Sequence, residues 1–272
     1  MTIRADDCCV LNGGGGSWAF EPLARQLSVA LGVPVSADPL RFNYLLYFEP
    51  IGDDFSHQVF IPLPSVRIAA DKRLMTETFQ RHGVPIPRSV LIDSFAEIKE
   101  FVARHPESEW CLKFPTGCGA MGHRMLTIDS PEPKNWPRPF IVQEFVRLER
   151  PEVYRIYCAG GDLFGWVARR FPAGRQPSPW VAHARGARYE RLGEPPPAAL
   201  FGARLALAAT GLYETFGCVD LLCRPSGEWL VLEVGTDGLF NHVDRDLDNP
   251  ELEAELSLRI SHAFWHHADK RR

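Results

Sequence analysis

Asp220, in Cys218-Val219-Asp220-Leu221-Leu222-Cys223, and Glu233, in Leu230-Val231-Leu232-Glu233-Val234, are each the sole acidic residue of an apolar run. A carboxylate in such a run needs a counter-charge or a metal ion, because an isolated charge is costly to bury. On paired strands close to one turn, the two acids are placed to share a divalent cation through hard oxygen ligands. An arginine partner is the alternative way to satisfy them. The loop Lys113-Phe114-Pro115-Thr116-Gly117-Cys118-Gly119-Ala120-Met121-Gly122 offers anion binding. Its small residues let backbone N–H groups approach an anion, and Lys113 supplies a fixed charge at the end of an apolar strand. Arg155, Arg169 or Arg170, Arg185 and Arg188 could add guanidinium forks for phosphoryl or acyl-phosphate chemistry. Gln143-Glu144-Phe145-Val146 ends a strand where exposed backbone beside an acid can hydrogen-bond a purine, with Glu149 or Glu152 able to accept from ribose hydroxyls.

Two other features carry less. The run Gly13 to Gly16 follows a short strand, but it lacks the last glycine of a dinucleotide fingerprint and is followed by no phosphate-loop lysine, so it reads as a tight turn or a loop facing a cleft. His262 and His266 are one helical turn apart with no acid to complete a metal set, and read as a solvated helix end.

The elements that must position these residues follow from period and punctuation. A strand, the glycine run and an apolar-faced helix (Trp18, Phe20, Leu23, Leu27, Leu31) open the chain, and Tyr44 to Phe48 reads as a second strand. A helix bearing Leu74, Met75 and Phe79 stops at Gly83, before Pro85 and Pro87. Ser94 and Glu97 form a capping-box pattern ahead of a helix faced by Phe95, Ile98, Phe101 and Val102. Three strand-like runs follow, then a hairpin turned at Gly160-Gly161, a loop over 172–197 and a helix over 198–210 closed by Gly211. A second hairpin turns at Pro225-Ser226-Gly227, and a last helix spans about 250–268. The reading is an α+β protein with a short N-terminal α/β lobe over 1–66 and two α+β lobes over 67–145 and 146–272.

Composition narrows the partners. With 45% apolar residues in 272, the chain has ample core. A net charge of −4 without long single-sign runs argues against nucleic acid or an anionic membrane as partner. No run is long enough to span a bilayer and the start lacks a secretory signal, so a cytoplasmic location is expected, with the seven cysteines buried and reduced. The basic residues are 25 arginines and five lysines, which directs attention to where each lysine stands.

Taken in order, the pieces resemble the ATP-grasp superfamily of ATP-dependent ligases, in the branch of glutathione synthetase, D-alanine:D-alanine ligase and ribosomal-protein glutamate ligases. They are Ala70-Asp71-Lys72 with Gly83-Val84-Pro85-Ile86-Pro87, the run from Leu112 to Gly122, Val142 to Val146, Tyr154 to Gly161, Val219 to Leu222 and Leu232 to Leu239, together covering roughly residues 67–245. The resemblance implies that two lobes clasp ATP. Lys72 and Lys113 would contact its phosphates, Gly117, Gly119 and Gly122 would form the loop over them, and Glu144, Phe145 and Val146 would hold adenine, with Glu149 or Glu152 at the ribose. Asp220 and Glu233 would ligate Mg²⁺, and Arg155 and Arg185 would stabilise the transferring phosphoryl group. The implied reaction activates a carboxylate as an acyl phosphate, which an amine attacks to give an amide; substrates would be an amino acid or peptide and an amine acceptor, and a homodimer is open. A small-molecule phosphotransferase and a nucleotide-binding module without turnover are the alternatives. The chain departs from the pattern at Gly235, where the family commonly carries an asparagine ligand; Asp237 or Asn241 is the residue that could reach in instead.

Overall fold

The computed structural model describes residues 3–49, 55, 57–117, 119–236, 241–248 and 250–270. Three sheets organise the chain. The first is wholly parallel, with β1 (Cys8–Gly13), β2 (Val35–Ser36), β3 (Phe42–Phe48) and β4 (Gln58–Val59) in the order β2-β1-β3-β4. A 3-10 turn over Ser17–Phe20 leads into α1 (Glu21–Leu31), which buries Ala24, Leu27 and Leu31; Trp18, counted above on the apolar face, is instead 76% exposed. The glycine run is explained by close packing. A Cβ on Gly13 would lie 2.1 Å from the Ala37 carbonyl oxygen, and one on Gly16 would lie 2.4 Å from the Tyr47 hydroxyl.

Helices α2 (Leu63–Ala70) and α3 (Lys72–Arg81) meet at Asp71, whose carboxylate caps α3 by accepting from Arg73 N at 2.8 Å. The chain then builds the second sheet from β5 (Ser89–Ile92), β6 (Trp110–Lys113), β7 (Arg124–Leu126) and β8 (Phe140–Glu144), antiparallel in the order β5-β8-β6-β7. Helix α4 (Phe95–Arg104) covers it with Phe95, Ile98 and Phe101 against Trp110 and Phe140, each buried side chain contributing roughly 1.5–3 kcal/mol. Ser94 stands at its N-cap as the pattern predicts, but its side chain makes no capping hydrogen bond.

The third sheet is the largest: β9 (Glu152–Ala159), β10 (Asp162–Arg170), β11 (Arg188–Arg191), β12 (Phe216–Cys223) and β13 (Trp229–Gly235), antiparallel in the order β11-β10-β9-β12-β13. Both expected hairpins are present, with positive φ at Gly160, Gly161 and Gly227. Strand β11 lies inside the segment expected to be a loop. Helix α5 (Pro197–Ala209) packs on β12 and β13, and after α6 (Asn241–Leu247) the long α7 (Glu251–Lys270) returns to the first sheet, packing Phe264 against Phe42 with tilted rings whose centroids are 4.9 Å apart. One continuous core therefore joins the first and third sheets. The six described cysteines are free thiols, five of them buried.

Candidate active site

A cleft enclosing about 200 Å³ lies between the second and third sheets. One wall comes from Lys72 at the start of α3, Lys113 at the end of β6, and Gly117, Gly119 and Ala120 of the loop beyond it. The opposite wall carries Arg169 of β10, Asp220 and Leu222 of β12, and Leu232 and Glu233 of β13. Gln143 to Leu148, Glu152, Val153 and Trp180 complete it. Residues predicted from widely separated stretches of sequence are thus brought to one place.

Strand pairing puts the charged side chains together. Asp220 is the direct partner of Glu233 across β12–β13 and of Arg155 across β12–β9, so the pleat presents all three on one face. Asp220 is 2% exposed. Arg155 donates from Nε to its Oδ1 at 2.6 Å and from a terminal nitrogen to Oδ2 at 3.0 Å, and Arg169 donates to the same Oδ2. Burial works to raise the Asp220 carboxyl, and the two guanidiniums override it and hold it well below the usual carboxylate range. In the structure two arginines supply the counter-charge this acid needs.

Glu233 is freer. Its carboxylate lies 3.7 Å from Lys72 Nζ and its side chain is 39% exposed. The Lys72 ammonium donates to the Gly117 carbonyl at 2.9 Å, and Lys72 N donates to Pro115 O at 2.8 Å, tying the start of α3 to the glycine loop. Lys113 is 8% exposed; burial pushes its ammonium pKa down, and Glu233 facing it pushes back. Gly117, Gly119 and Gly122 all have φ near +60 to +90°, as does Ala120, so the loop takes a path that glycine permits. Gly122 packs on Phe114 and is not part of the cleft wall.

Several expected residues take other partners. Glu144 lines the cleft, but Arg224 donates to its two oxygens at 2.8 and 2.7 Å, linking β8 to the β12–β13 turn. Glu152 also lines it and is held by Arg170 at 2.6 Å. Glu149 is exposed and outside the cleft wall. Arg185 is exposed and donates to the Ala120 carbonyl of the glycine loop at 3.1 Å. Phe145 and Val146 line the cleft, Phe145 standing edge-on to Trp180 at 5.3 Å. Asp237 lies outside the described residues, as does the side chain of Asn241. Among the described residues no three Asp, Glu, His or Cys side chains gather as a metal site.

Three contributors were not singled out from sequence as site residues. His123 lines the cleft edge-on to Trp180 at 5.5 Å; burial, then Lys113 and Lys72, press its pKa down to about 3, so the ring is neutral. Trp180 and Arg224 stand in a loop and a turn, where no period marks a functional residue. No helix among the described residues is long and apolar enough to cross a membrane.

No family model and no curated protein sequence matches the chain. Solved structures match it over nearly its whole length. D-cycloserine synthetase DcsG superposes with a TM-score of 0.70 at 17% identity, over 96% of this chain and 99% of its own. The D-alanine–D-alanine ligase from Bacillus anthracis gives 0.65 at 14%, over 97% of each chain. The ATP-grasp ligase PsnB gives 0.61 at 14%, over 93% and 99%. With its parallel N-terminal sheet, two antiparallel sheets and the cleft between them, the chain has the ATP-grasp fold.

Proposed function

We propose that the chain is an ATP-dependent carboxylate–amine ligase, forming an amide on an amino acid or peptide. The observation that carries this reading is the convergence of Lys72, Lys113, Asp220, Glu233 and the Gly117–Gly119 loop on one cleft between two antiparallel sheets. Two of five lysines in the whole chain stand there. The structural neighbours include the Bacillus anthracis ligase complexed with ATP and PsnB complexed with minimal precursor, Mg and ADP. In this reading residues 1–66, 67–145 and 146–272 form an N-terminal lobe and the two clasping lobes, in a cytoplasmic enzyme.

The residues fit a nucleotide. Phe145, Val146, Leu148, Leu222, Leu232 and Trp180 make an apolar slot of the kind that takes a flat base. Lys72, Lys113 and Arg169 supply the positive charge a polyphosphate needs, and the glycine loop lets backbone come close to it. A magnesium ion bound with phosphate oxygens needs one or two protein carboxylates, and Glu233, loosely paired and partly exposed, is suited to hold it. ATP when bound supplies a phosphoryl group that turns a carboxylate into an acylating agent. The chain's own part is to orient the reactants, to keep water out behind Trp180 and Phe145, and to hold cations where negative charge builds up.

The test begins with a titration of ATP in Mg²⁺, which should show saturable binding to the full chain. ADP release is then followed with mixed amino acids and peptides as carboxylate donors and amine acceptors, and products are weighed by mass spectrometry. Amide product dependent on a carboxylate donor is the expected result. A phosphorylated hydroxyl compound without amide, or an absence of nucleotide binding, refutes the reading.

A further inference from the structure

The two acids at the phosphate-binding side of the cleft differ in what they have left to offer. Asp220 receives three guanidinium N–H donors, two from Arg155 and one from Arg169. A cation brought to those oxygens would have to displace these donors or sit against two fixed positive charges. Glu233 has no such commitment, its contact with Lys72 being 3.7 Å long. The two arginines also differ. Arg169 lines the cleft and Arg155 does not, and the Arg169 Nε has no hydrogen-bond partner among the described residues.

Charge counting points the same way. Glu144, Glu152 and Arg147 of the cleft wall are each matched by a partner, Arg224, Arg170 and Glu109. What remains is Lys72, Lys113, Arg155 and Arg169 against Asp220 and Glu233, a formal balance of +2. His123 is neutral and adds nothing. A fully ionised nucleoside triphosphate with one divalent cation carries −2 and closes that balance. A second divalent cation would leave it at +2 in a cleft whose walls are largely buried.

We propose that Arg169 is a phosphate-binding residue of this site, that Asp220 is its anchor rather than a metal ligand, and that a bound nucleoside triphosphate carries a single divalent cation held by Glu233. The inference rests on the nucleotide reading above. It assigns the protein's own guanidinium, pinned by Asp220, to the position that a metal on Asp220 would otherwise fill. The arrangement is pre-organised: Asp220 fixes the fork before the phosphates arrive, so little ordering is left to do on binding.

The experiment counts Mn²⁺ on the full chain saturated with the non-hydrolysable analogue AMP-PNP, from the electron paramagnetic resonance signal of free Mn²⁺. One Mn²⁺ per chain is expected; two, with AMP-PNP bound, overturn this inference alone. If AMP-PNP does not bind, the nucleotide reading falls and this inference with it. Arg169→Gln, which leaves Asp220 on Arg155, should lower AMP-PNP affinity about tenfold or more while the count stays at one. Unchanged affinity overturns the role of Arg169. In Asp220→Asn, checked for native circular dichroism, the Mn²⁺ count and affinity should hold within about twofold while AMP-PNP binds more weakly. A tenfold loss of Mn²⁺ affinity in that variant returns Asp220 to the metal. Should Asp220→Asn fail to fold, the wild-type count and Arg169→Gln decide the matter.

Discussion

Lys113 sets folding against binding, and replacing it should move the two in opposite directions. Its side chain is 8% exposed at the end of β6, and burial lowers its ammonium pKa from the usual lysine value of 10.5, with Glu233 facing it as partial compensation. The folded chain thus holds this proton less tightly than the unfolded chain. Such a group costs stability at neutral pH, and the cost fades as pH rises through the depressed value toward the ordinary one. Lys113→Met keeps an apolar stem of similar length and removes the charge; Glu233 retains Lys72 at 3.7 Å. Replacing a buried charge by an apolar residue of like volume is commonly worth about 1–2 kcal/mol in favour of the fold. On the proposed nucleotide reading, the same change would remove a charge-assisted hydrogen bond to phosphate worth about 1.5–3 kcal/mol, which is about tenfold to a hundredfold in affinity. Urea unfolding at pH 7 and pH 10, together with titration of a fluorescent ATP analogue, reads both quantities. The expected variant is more stable at pH 7, has lost most of that advantage by pH 10, and binds nucleotide poorly. A variant that is destabilised, or that binds as the wild type does, refutes the reasoning.

Three further outcomes follow from particular contacts. The Arg224–Glu144 pair joins the second and third sheets with side chains 25% and 17% exposed, so a double-mutant cycle with Arg224→Met and Glu144→Gln should give a coupling of about 1–2 kcal/mol by urea unfolding; a value below about 0.3 kcal/mol would mean the link is ornamental. His123, pressed down to about 3 by burial and the two lysines, makes the fold lose stability as pH falls from 6.5 toward 3, because the unfolded chain takes up the proton first. His123→Gln should flatten that part of the stability curve by up to about 1.4 kcal/mol per pH unit, and parallel curves for the two proteins would contradict it. Gly165→Ala should cost about 2 kcal/mol or more, since φ is +69° there and the new Cβ would lie 2.9 Å from the Tyr157 ring; a neutral substitution would show that the β10 backbone can shift at no cost.

Local signals in the sequence settle local structure. The hairpins at Gly160-Gly161 and Gly227 are legible because positive φ at a tight turn selects glycine, and the residues there have it. The end of α5 at Gly211, with φ +72°, is read the same way. Asp220 and Glu233 announce themselves because a lone acid in an apolar strand requires a partner, whatever that partner is. Lys72 and Lys113 stand out only against a background of arginine, and the family resemblance then implies a shared role for them.

Which partner each group takes is decided by neighbours distant in sequence. Glu144 meets Arg224 eighty positions away, and α7 closes over a sheet made at the other end of the chain. Strand β11 forms because β10 offers it a free edge, with Arg188 to Arg191 pairing Arg170 to Val167; its own composition reads as loop.

Arg169 is the clearest case. From the Gly160-Gly161 turn the register runs Asp162 with Ala159 to Phe164 with Tyr157, and continued unbroken it would put Arg155 and Arg170 on one face. An irregularity between Phe164 and Val167, where Gly165 takes φ +69°, inserts one residue. Arg155 then pairs with Val167, and it is Arg169 that joins it on Asp220 while Arg170 goes to Glu152 and Glu190. Side chains alternate with a period of two, so a one-residue slip exchanges the faces. The amino-acid sequence by itself determined that arginines, acids and lysines would be carried on these strands; only the packed sheet, through one bulge, decided which arginine enters the cleft.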